Sequence, residues 1–211
     1  MNEGGNLFSI DGKFAGVLNW ISRLLYLQVI WVLFCIIGLL IGGIFPATFA
    51  MFGIIRIWIR EEKDIQIYKK FSELYKESFV KTNILGWLMV LFGFSNYFYL
   101  NWFSSMTGAI SLILISGIVF ISLAFLMTSL FVMPVYVHYD VGLLKVVRFA
   151  ATIAVTHPLH ILGMVITIIS FWYFMIVLPI IFLFIGMSLL VFILMNIANA
   201  AFVSIERKLE T

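Results

Sequence analysis

Apolar and polar residues are unevenly distributed along this chain. Leu24 to Ile44 runs without a charge, and so do Asn83 to Phe103, Gly108 to Val137 and Leu159 to Val203. A helix that crosses a hydrocarbon core needs about 20 mostly apolar residues. The first three runs therefore predict one crossing each, and the last, with Pro179 near its middle, predicts two. Pro46 opens one further apolar run, which reaches Ile59 but contains Arg56. At roughly 15 residues, or about 22 Å of helix, it is short for a crossing. Its arginine can carry the charge to the interface along its methylenes. The sequence leaves a short span and a re-entrant segment both open for this run. The predicted spans fall at about 24–44, 46–60, 83–103, 108–137, 159–178 and 180–203.

The segments between the spans have a different period. Over 65–81, Ile67, Tyr68, Phe71, Leu74, Tyr75 and Phe79 fall on one side of a helix, with Lys69, Lys70, Glu73, Lys76, Glu77 and Lys81 on the other. That pattern predicts an amphipathic helix lying on an anionic membrane surface. A weaker segment of the same kind covers 141–156 and bears Lys145 and Arg148. Lys13 to Arg23 carries apolar residues at helical spacing and predicts a short interfacial lead-in to the first span. The fold class is all-α, a polytopic helical membrane protein of about six transmembrane helices with one or two amphipathic surface helices.

Composition agrees, since 64% of the 211 residues are hydrophobic and 11% are charged, against about 25% charged in ordinary soluble domains. The single cysteine, Cys35, excludes an intramolecular disulfide and a thiolate metal cluster. With turns at Phe45–Pro46, at Ser104 to Gly108 and at Pro179, all 13 Lys and Arg and all 10 Asp and Glu fall on one side of the membrane. Basic residues in short loops mark the cytoplasmic face. Both termini are therefore expected inside.

Two stretches share an order of features. Met51, a charged group, an amphipathic segment and Asn83-Ile84-Leu85-Gly86 are followed by Met133, His138 and Asp140, a second amphipathic segment and His160-Ile161-Leu162-Gly163. This order suggests a parallel repeat of 46–103 and 108–178. Two hairpins facing one compartment would look alike by composition as well.

Candidate chemistry is sparse. His138, Asp140, His157 and His160 include zinc-ligand types, but Pro158 interrupts the histidine spacing, and no metal is assigned. Phosphate-cradling loops, nucleophile elbows and paired metal-binding histidines are absent. No enzyme activity, cofactor or nucleic-acid partner is expected. The densest charged group closes the second run, and a contact surface for a partner or ligand is predicted from Arg56, Arg60, Glu62, Lys63 and Asp64, with His138 and Asp140.

The run GGIFPATFAMFGIIRIWIREEKDIQIYKKFSELYKESFVKTNILG resembles the YesL-like family of bacterial integral membrane proteins, a domain of unknown function, with the match extending from about Asn19 to Leu91. It is carried by Gly43, Phe45, Pro46, Ala47 and Thr48, by the charged closure of the second run, and by Tyr68, Phe71, Tyr75, Lys76 and Phe79. The resemblance implies a bacterial plasma-membrane protein. It also implies a setting among genes for uptake and breakdown of complex saccharides, with ABC sugar transporter subunits or a sensor kinase as partners. It implies no catalytic residue. The expected function is that of a non-enzymatic accessory to saccharide uptake or sensing, with the bilayer as its constant partner. The alternative is a small sugar-related transporter.

Overall fold

The computed structural model describes residues 4–60, 65–139 and 141–209. All regular structure among them is helical: α1 (Gly4–Ile37), α2 (Ile44–Ile59), α3 (Ile67–Ser104), α4 (Ala109–His138), α5 (Leu143–Thr156), α6 (Pro158–Val177), the single turn α7 (Pro179–Ile181), a π-helical stretch (Phe182–Gly186) and α8 (Met187–Leu209). Five helical segments are long and apolar enough to cross a membrane: Gly16–Ile37, Ile67–Ser104, Ala109–His138, Pro158–Val177 and Pro179–Arg207. The remaining apolar helix, α2, has 16 residues.

The short helix is the centre of the molecule. Pro46, Ala47, Phe49, Ala50, Met51, Phe52, Gly53, Ile54, Ile55 and Trp58 are all buried, which covers most of its circumference. It packs against α1, α3, α4 and α8. A helix walled in by protein has no bilayer thickness to match, so its length of about 24 Å carries no mismatch cost. By contrast, only 6% of the most apolar window of α4 and 11% of that of α6 is buried. Surfaces so apolar and so open are stable only against lipid.

The turn from α1 into α2 is tight. A Cβ on Gly43 would lie 2.6 Å from the Cys35 carbonyl oxygen and 2.9 Å from its Cα, so only glycine fits. Leu39 and Leu40 take left-handed conformations, with φ of 57° and 61°, which side chains adopt at a cost. Two side chains from α3 hold this turn: Tyr75 donates to the Phe34 carbonyl at 3.3 Å, and Asn83 to that of Gly42 at 2.9 Å.

The structure differs from the expected boundaries at three places, the first being the end of α1, which stops at Ile37 where the first span was expected to reach about Ile44. Segments 65–81 and 83–103 form one helix, α3, and the lead-in Lys13 to Arg23 is continuous with the first span. At the α3 junction the polar side chains are satisfied without breaking the helix. Ser78 donates to the Leu74 carbonyl, Thr82 to that of Ser78 and Asn83 to that of Phe79. Phe71, Tyr75, Ser78 and Thr82 are buried, so this part of α3 packs into the bundle. The corresponding segment of the second half does end, because Pro158 opens α6 after His157.

Gln28 lies in the middle of α1 and is buried. Its amide nitrogen donates to the Leu183 carbonyl at 3.3 Å, and its amide oxygen accepts from the Ser188 N–H at 2.9 Å. The first of these backbone groups lies within the π-helical stretch and the second just after it, where the regular ladder opens and a side chain can enter it. An open cavity of about 470 Å³ lies between α6 and this region, bordered by Thr167, Ser170, Phe171, Phe182 and Gly186.

Candidate functional site

Arg56 stands in the last turn of α2. Its Nη1 donates to the Val137 carbonyl, and its Nη2 to that of His138 at 2.9 Å. Those carbonyls belong to the end of α4, where intrahelical donors run out. A cation is favoured there by the helix dipole as well. The planar guanidinium, with donors set in a fork, suits two adjacent carbonyls in a way that an ammonium does not.

His138, the last residue of α4, is pressed between aromatic neighbours. Its ring centroid lies 4.4 Å from that of Phe202 and 4.7 Å from that of Tyr139. Nε2 is 3.4 Å from Glu206 Oε1, and Nδ1 is buried with no hydrogen-bond partner among the described residues. Burial pushes the Tyr139 phenol above its ordinary range, and the Glu206 charge adds to the effect. The ends of α2, α4 and α8 are thereby tied together through Arg56, His138 and Glu206.

Beside this junction a cleft of about 470 Å³ opens between α2, α3 and the end of α4. Arg56, Lys70, Lys81, Glu77, Ser78 and His138 form its polar wall, and Phe49, Ile57, Leu74 and Tyr136 its apolar one. Lys70 is 3.2 Å from Glu73.

Of the predicted contact residues, the structure brings Arg56 and His138 into contact, and Arg60 closes α2 with its N–H on the Arg56 carbonyl at 3.1 Å. Glu62, Lys63, Asp64 and Asp140 lie outside the described residues. His157 and His160 face each other, with ring centroids 5.5 Å apart. Among the described residues no three His, Cys, Asp or Glu side chains converge as metal ligands. Sequence reasoning missed Gln28, a lone amide whose partners lie 155 and 160 residues away. It also missed that Lys70 and Lys81 share a cleft. Their spacing, with Leu74, Glu77 and Ser78, puts all five on one face of α3, and that signal was available.

These features define a polytopic helical membrane protein in which Arg56, His138 and Glu206 join the ends of α2, α4 and α8. The chain belongs to the family described as "Protein of unknown function, DUF624", which matches residues 24–100. It is 28% identical to the uncharacterized protein YteU of Bacillus subtilis (strain 168) over 200 residues, covering 93% of this chain and 88% of the relative. It is 34% identical to the uncharacterized protein YesL of the same organism, covering 66% of each. A third relative, the uncharacterized protein YesV, is 31% identical with 71% of each chain covered. No solved structure matches.

Proposed function

We propose that this protein is a non-enzymatic accessory of the bacterial plasma membrane, with both termini in the cytoplasm, serving saccharide uptake or sensing by contacting ABC sugar transporter subunits or a sensor kinase. The observation that carries the reading is the Arg56 fork on the end of α4. It builds a fixed end from α2 and α4, beside which Arg60, Lys70, Glu77 and Lys81 are accessible to a partner's loops. Charges of both signs on a rigid support favour specific docking. The family resemblance supplies the saccharide context. A photo-crosslinking residue in place of Arg60 tests it in living cells. The reading expects covalent capture of a sugar permease subunit or a sensor kinase. Capture of neither above an outward-facing control position, such as Ile110, contradicts it.

One observation favours the alternative of a small transporter. Gln28 enters an opened helical ladder beside a cavity, and interrupted helices in membranes often mark transport paths. Vesicles reconstituted with the purified protein alone separate the readings: an accessory moves no sugar, whereas a transporter accumulates labelled sugar.

A further inference from the structure

We infer that the cleft between α2, α3 and the end of α4 binds the phosphate group of an anionic phospholipid. This inference does not rest on the accessory reading, since a transporter would hold such a lipid equally well.

The argument begins with the face of α3 that forms the cleft. Lys70, Leu74, Glu77, Ser78 and Lys81 recur at helical spacing on one face. Leu74 meets Gly53 of α2 and Ser78 is buried, whereas Lys70 is half-exposed and Glu77 and Lys81 are exposed at the rim. The facing residues of α2, Phe49, Gly53, Arg56 and Ile57, have the same spacing. The two helices touch at Gly53 and Leu74, where an added Cβ would come within 2.7 Å of Leu74 Cδ1. Beside that contact they leave a space with cations along it. Positive charge exceeds negative there, with Arg56, Lys70 and Lys81 against Glu77, even though Lys70 also pairs with Glu73 at 3.2 Å.

The opposite wall decides the source of the phosphate. Phe49, Ile57, Leu74 and Tyr136 offer nothing to a soluble phosphate, but they suit the glycerol backbone and first methylenes of a lipid. Basic pockets between membrane helices are known to take anionic headgroups on this chemistry.

The test uses the full chain, purified in neutral detergent, with dioctanoyl-phosphatidylglycerol as probe. The same-length phosphatidylcholine and free glycerol 3-phosphate serve as comparisons. The inference expects saturable binding of phosphatidylglycerol at least about fivefold tighter than of phosphatidylcholine, and weak binding of glycerol 3-phosphate. The double variant K70Q/K81Q should lose roughly tenfold in affinity for the anionic lipid. K145Q, on the exposed side of α5, should lose none. Equal affinity for the two lipids overturns the inference, as does an unchanged K70Q/K81Q or an equal loss in K145Q. Glycerol 3-phosphate binding as tightly as the lipid overturns the lipid source. Because the comparison of ligands on the unsubstituted chain is decisive by itself, a folding defect in a variant does not rescue the inference.

Discussion

Gln28 and Ser188 lie 160 residues apart in the chain and meet through a 2.9 Å hydrogen bond that joins the first apolar helix to the last. The same side chain holds the Leu183 carbonyl. One amide thus satisfies an acceptor within the π-helical stretch and a donor just beyond it.

Replacing Gln28 by leucine keeps the volume and removes both bonds. The exposed backbone pair then either goes unsatisfied or closes back into a regular α-helical ladder, shifting the residues that follow. Interhelical hydrogen bonds in membranes contribute about 1 kcal/mol, so the thermal midpoint in detergent should fall by about 2–4 °C. An unchanged midpoint would mean that the bridge contributes nothing.

Arg56 should tolerate lysine poorly. Hydrogen bonds to charged groups are worth about 1.5–3 kcal/mol, and R56A loses two of them at the end of α4. R56K keeps the charge near the helix end but not the fork. The expected order of stability is unsubstituted, then R56K, then R56A, measured by thermal unfolding in one detergent. A lysine variant as stable as the unsubstituted protein would show that charge alone matters.

Gly86 lets two helices touch. The Phe45 ring lies against its Cα, in the space that a Cβ would need, and packs edge-on against Trp87 at 5.6 Å. G86A should destabilise by roughly 1–3 kcal/mol through overpacking. Removing the obstructing ring should recover part of that loss, so G86A costs less in an F45A background than in the unsubstituted chain. Equal costs in both backgrounds would place the strain elsewhere.

The apolar runs made most of the helices legible, because about 20 uncharged residues have few other uses. The fusion of 65–81 with 83–103 was harder to read. A change from amphipathic to apolar pattern looks like a boundary, yet the hydroxyls of Ser78 and Thr82 bond back to their own helix and let it continue. Pro158 gave the opposite signal in the second half, and there the helix does break. The central place of α2 was hidden for a related reason: shortness read against a bilayer suggests a partial crossing, whereas shortness inside a protein wall is neutral. At the site, Arg56 and His138 were both singled out by charge and position. Their meeting across 82 residues depends on how α2 and α4 pack, which no local pattern encodes. Glu206, 68 residues beyond His138, meets it only because α8 packs against α4.

The proposal that charge gathers on the cytoplasmic side is tested most directly by labelling in intact cells. A single cysteine in place of Lys69, in a chain whose buried Cys35 has been changed to alanine, is exposed to a membrane-impermeant maleimide from outside. The account predicts no labelling until the cells are opened, and full labelling afterwards. Reaction in intact cells would contradict it.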